Sequence, residues 1–89
     1  MYELVGYRRI DIEAERKNDR DSHGTSCYFL MEENDKEFVG RSACKVYFSD
    51  ENYPDFHYLI QNGDIQIGDK FLLIFNQKGK LLAYQKLDG

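Results

Sequence analysis

Hydrophobic and polar residues alternate in short runs along this chain, and only one stretch carries a helical spacing. From Tyr2 to Glu15, Leu4, Ile10, Ile12 and Ala14 fall on one parity. Val5, Tyr7, Arg9, Asp11 and Glu13 fall on the other. That two-residue period predicts a strand, and Gly6 inside it predicts a bulge or bend. Glu, Ala, Arg and Lys between Ile10 and Lys17 favour helix, but the apolar residues sit two apart, so the strand reading holds. Asn18 to Gly24 has no apolar residue and reads as a loop. Thr25 to Glu32 and Phe38 to Ser49 read as a second and third strand joined by the turn Asn34-Asp35-Lys36-Glu37. With Asp35-Lys36 as a two-residue loop, Cys27 opposes Cys44, Phe29 opposes Ser42 and Tyr28 opposes Ala43. Directly opposed residues share a face, so this register separates an apolar side from a polar, basic and aromatic one.

Asp50 to Pro54 breaks the sheet. Phe56, Leu59 and Ile60 then fit one face of a short helix, with Asp50 or Asp55 near its start and Asn62-Gly63 at its end. The apolar run Phe71 to Phe75 is too short for a helix and right for a buried strand. Asn76-Gln77-Lys78-Gly79 is turn chemistry, with Gly79 free to take positive φ, and Leu81 to Leu87 returns antiparallel. Five strands with one short helix between the third and fourth predict a mostly β fold, a small OB-like barrel formed by residues 1–89 as a single domain. An open curled sheet or an SH3-like barrel is the competing architecture.

Size and charge narrow the picture further. A chain of 89 residues buries roughly 60% of its unfolded surface, so a closed sheet or a dimer interface is expected to supply the remaining stability. No stretch reaches the ~20 apolar residues of a membrane span. The start, MYELVGYRRI, has charges where a signal peptide needs its apolar core, which implies a cytoplasmic protein. Cys27 and Cys44 are too few and too far apart for a zinc site and read as buried free thiols. Asp19, Asp21, His23 and Gly24 faintly match the opening of a calcium loop, but the twelfth position from Asp19 is Leu30, where that loop requires Glu. No metal and no cofactor is expected.

No nucleophile motif, Gly-rich phosphate loop or His-Glu-X-X-His is present. His23 and His57 have no spaced partner, so the chain reads as a non-enzyme. The outward parity of the first three strands carries a sharper signal. It holds Tyr7, Arg9, Tyr28, Arg41, Lys45 and Tyr47, with Arg8, Arg16 and Arg20 as lesser candidates. Single-strand binders need rings for base stacking, worth roughly 1–3 kcal/mol per base, beside cations for phosphate. Against this stands the formal net charge of −4. The first 48 residues carry eight basic and ten acidic side chains, whereas phosphate affinity comes mainly from Lys and Arg. Tyr and Arg are also enriched at protein interfaces, so a protein-interaction module using the same face is the alternative.

The order VGYRRI, KVYFSDENY, IGDKFLLIFNQKGKLL resembles small OB-fold-like single-stranded DNA-binding proteins of phage and plasmid replication regions, of the filamentous-phage gene V type. Ile67-Gly68-Asp69 and Lys78-Gly79-Lys80 are the best matched parts. The resemblance implies a homodimer that coats single-stranded DNA through a hairpin and surface tyrosines, with little sequence choice. This chain departs from that pattern in carrying less basic charge, and in the acidic residues of the loop Lys17 to Gly24.

Overall fold

The computed structural model describes residues 1–14, 21–31 and 42–87. Five strands form one antiparallel sheet: β1 (Tyr2–Ile12), β2 (Ser22–Met31), β3 (Ser42–Ser49), β4 (Lys70–Phe75) and β5 (Leu81–Leu87). One short helix, α1 (Phe56–Gln61), lies between β3 and β4. The spatial order is β3-β2-β1-β4-β5, so the mostly β, OB-like sheet with its helix in the expected place is present, while the expected closure of that sheet into a barrel is not found among the described residues. No ladder joins β3 to β5 among the described residues. Ring contacts bridge these two strands instead: Phe48 of β3 lies 5.3 Å from Tyr84 of β5, edge to face.

The core fills one side of the sheet. Leu4, Cys27, Phe29, Val46, Phe48, Phe56, Ile65, Phe71 and Leu73 are buried there. Period-two burial within β3 and β4 places Val46 and Phe48, then Phe71 and Leu73, on this side. Phe56, the one buried residue of α1, stacks on Phe48 with centroids 4.0 Å apart and planes 1° from parallel. Removing a fully buried Phe of this kind typically costs 3–5 kcal/mol, so α1 is held by that ring rather than by its own turn and a half. Asp55 stands at its N-terminus without a side-chain cap, and Asn62 with Gly63 (φ 86°) ends it.

The turn chemistry is as the sequence implies. Asn76 Oδ1 accepts from the Lys78 and Lys80 amides at 2.9 Å, and Gly79 takes φ 81°. The Ile67-Gly68-Asp69 turn fastens β4 to β1. Gly68 donates its N–H to the Leu4 carbonyl at 2.7 Å, and Leu4 donates to the Asp69 carbonyl at 2.9 Å. Beside it, Lys70 of β4 pairs with Glu3 of β1.

Two boundaries and one register differ from expectation. β2 begins at Ser22, not Thr25: Ser22, His23 and Gly24 pair with Ile12, Asp11 and Ile10, so ladder bonds override their polar, loop-like composition. β1 stops at Ile12 rather than Glu15. Residues 38–41, expected to open β3, and the turn Asn34 to Glu37 lie outside the described residues. In the β2–β3 ladder Cys27 faces Val46, Phe29 faces Cys44 and Tyr28 faces Lys45. This is two residues away from the expected pairing. A two-residue slip keeps every side chain on its face, and hydrophobic alternation specifies the face but not that slip. Cys27 and Cys44 are both free thiols.

Candidate nucleic-acid interface

The first strand carries the decisive irregularity. Its ladder with β2 pairs Leu4 with Phe29 but Gly6 with Tyr28, leaving Val5 as the extra residue of a bulge. A bulge inserts one residue into one strand and so exchanges the faces of everything beyond it. Upstream, Leu4 shares the core face with Phe29. Downstream, Tyr7 pairs with Cys27 and Arg9 with Thr25, both buried, so Tyr7 and Arg9 share the core side of the sheet. Gly6, Arg8 and Ile10 take the outer face. The six sequence candidates are therefore not on one surface. Tyr28, Lys45 and Tyr47 share the outer face with Arg8, a lesser candidate by sequence. Tyr7 and Arg9 are on the reverse. Arg41, Arg16 and Arg20 lie outside the described residues.

On the outer face Tyr28 and Tyr47 are 40% and 42% exposed. Lys45 pairs with Tyr28 across the ladder, and its Nζ stands 5.8 Å from the Tyr28 ring centroid, within cation–π range. Ser26, buried, sits between Arg8 on β1 and Tyr47 on β3. Two rings and two cations thus occupy adjoining rows of three strands.

Arg9 is committed elsewhere. Its Nη1 and Nη2 donate to Asp50 Oδ1 and Oδ2 at 2.9 and 2.5 Å, while Nε and Nη2 donate to the two carboxylate oxygens of Asp11 at 3.2 and 3.1 Å. This double fork ties β1 to the end of β3 across β2. It holds the Asp50 carboxyl below the usual carboxylate range and the guanidinium above its own ordinary value. Asp11 also meets His23 Nδ1 at 2.9 Å. That bond, and then the one to Arg9, lowers the Asp11 carboxyl, and in return Asp11 raises the imidazole. Asp50 was not legible as the partner of Arg9, since 41 residues separate them. The parity exchange that redirects Arg9 was legible in principle at Gly6.

A recess of about 320 Å³ opens beside Tyr47, lined by Asp21, Ser22, His23, Tyr47, Ser49, Asp50 and Glu51. At its rim Glu13, Asp21 and His23 each bring one ligand atom within 4.8 Å of the others. Glu13 and Asp21 are exposed, and His23 Nδ1 is engaged by Asp11.

No protein-family model, no curated protein and no solved structure matches this chain. No helix among the described residues is long and apolar enough to cross a membrane.

Proposed function

We propose that this chain is a non-catalytic binding module of the cell interior that takes single-stranded nucleic acid on the outer face of β1, β2 and β3. One observation carries the reading: Tyr28 and Tyr47 stand exposed beside Lys45 and Arg8 on the same side of the sheet. Exposed rings of this kind stack on bases of any identity, and the two cations neutralise phosphate. With so few cations the affinity is modest and the salt dependence shallow. A second copy supplies the rest of the binding surface. Leu72, Ile74 and Leu82 on the β4–β5 hairpin are exposed and apolar, and pairing of two such hairpins removes them from water.

Fluorescence anisotropy with labelled oligo(dT), at low and then physiological salt, tests the reading. Micromolar binding that weakens with salt, and weakens further in Tyr28→Ala and Lys45→Ala, is the expected result. Absence of binding at low salt, where electrostatics act farthest, rejects it.

The alternative, a protein-interaction module that uses Tyr47 and the recess beside it, is favoured by a specific observation. Arg9 is consumed by Asp50 and Asp11, and the recess beside Tyr47 is lined with carboxylates, the wrong sign for phosphate.

A further inference from the structure

We infer that the recess beside Tyr47 is a docking site for a guanidinium group, an arginine side chain presented by a basic segment of a partner protein. The inference deepens the protein-interaction reading and does not rest on nucleic-acid binding. Three features of the recess converge on that chemistry.

The first is an aromatic wall with one side fixed. The outer end of the Tyr47 ring lies over the bare α-carbon of Gly24, so close that a β-carbon there would come within 2.5 Å of ring Cζ and Oη. The sheet backs the ring, and its remaining surface is open to the recess and solvent. A planar cation stacks on such a ring, and arginine does so more often than lysine.

The second is charge. Of the three lining carboxylates, Asp50 is neutralised by Arg9. Among the described residues Asp21 accepts the Ala14 amide, at 2.6 Å, and has an oxygen within 4.8 Å of a His23 ring nitrogen, while Glu51 makes no ion pair. Glu51 thus keeps unspent negative charge at the recess, Asp21 shares its own with His23, and Arg9 is occupied by Asp50 and Asp11.

The third is acceptor geometry. Ser22 and Ser49 line the same recess, and the Ser49 hydroxyl accepts the Asn52 amide at 3.2 Å with a second lone pair to spare. A guanidinium carries five N–H donors in one plane, so a ring wall with carboxylate and hydroxyl acceptors around it matches that inventory. A phosphate would meet carboxylates of its own sign there, and an ammonium uses the ring less well.

The test is a titration of ¹⁵N-labelled full-length protein with the peptide Ac-Gly-Arg-Gly-NH2, with Ac-Gly-Gln-Gly-NH2 at matched ionic strength as control. The expected result is saturable millimolar binding of the arginine peptide, with amide shifts confined to Asp21, Ser22, Tyr47, Ser49 and Glu51. Glu51→Gln and Tyr47→Leu are each expected to weaken it about fivefold, and Asp64→Asn, away from the recess, to leave it unchanged. Glu51 is exposed, so its variant isolates charge without disturbing the fold. The inference is overturned if the glutamine peptide shifts the same residues, if neither Glu51→Gln nor Tyr47→Leu weakens binding, or if shifts spread over the acidic surface at large. Oligo(dT) shifting these residues where the arginine peptide does not would also overturn it, and would leave the nucleic-acid reading standing.

Discussion

Tyr47 covers Gly24. The two residues sit on neighbouring strands of the outer face, and a β-carbon at Gly24 would lie 2.5 Å from the tyrosine ring and 2.7 Å from the Phe48 carbonyl oxygen. The ring end can swing away, but the carbonyl belongs to the β2–β3 ladder and cannot move without opening it. Gly24→Ala is therefore expected to destabilise the fold by about 2 kcal/mol. Gly6→Ala provides the contrast. Nothing lies within 4 Å of the β-carbon it would add, and Gly6 does not have positive φ. Its effect is expected to stay within about 0.5 kcal/mol. Urea unfolding of both variants checks the pair, and equal losses would refute the close approach at Gly24.

The Arg9 clasp makes a second prediction, which separates structural from binding arginines. Arg9→Ala and Asp50→Asn are each expected to lower stability by about 1 kcal/mol, because the pair is bidentate yet part-exposed. Neither is expected to change the salt slope of oligonucleotide binding, whereas Lys45→Ala is. The pH dependence has a definite sign. The Asp50 carboxyl is lowered in the folded protein, chiefly by its hydrogen bonds with Arg9. Its contribution is therefore complete above the unfolded carboxylate value, near 3.8, and is lost as pH falls through the lower folded value. The stability gap between wild type and Asp50→Asn should be constant from neutral pH to mildly acid pH. It should close only below the ordinary carboxylate range. A gap that closes near neutrality would place the clasp's energy in another group.

Much of this fold was legible because its signals are local. Asn76 to Gly79, Asn62-Gly63 and the run Phe71 to Phe75 each specify their own geometry within a few residues. Parity sorted Tyr28, Lys45 and Tyr47 onto the outer face correctly, and a two-residue slip in register left that sorting intact. The site was harder to read because one residue, Val5, breaks the count. Gly6 marked the bulge, but the parity of β1 was carried through it unchanged, which placed Tyr7 and Arg9 on the wrong side and left Arg8 as a lesser candidate. The partners that decide Arg9's role and shape the recess, Asp50 and Glu51, lie just beyond β3. Their proximity to β1 and β2 follows from the ladder and leaves no local pattern in sequence.

Thr25 supports a third prediction. It is buried between Arg9 and Phe48 on the ladder, and its Oγ1 has no hydrogen-bond partner among the described residues. A buried hydroxyl without a partner carries a desolvation cost, and an apolar group of the same shape relieves it. Thr25→Val is expected to stabilise the protein by about 1 kcal/mol. Thr25→Ser keeps the hydroxyl and removes a methyl, and is expected to destabilise it. A destabilised valine variant would show that the hydroxyl is satisfied in solution.

The two thiols should differ in reactivity by a margin that reads out the core directly. Cys27 is fully buried beside Val46, and burial pushes its thiol up to about 12. Cys44, opposite Phe29 near the start of β3, is only partly buried, and its thiol is raised for the same reason. Because the thiolate is the reacting species, a thiol at that value is ionised to only about one part in ten thousand at pH 8. Cys27 is also closed to reagent until the β2–β3 ladder opens. Under native conditions at pH 8, alkylation with iodoacetamide followed by mass spectrometry should modify Cys44 first. Cys27 should react only at the rate of global unfolding, accelerating with urea in step with the loss of structure. Equal native rates at the two positions would mean that the β2–β3 ladder opens locally, without the rest of the sheet.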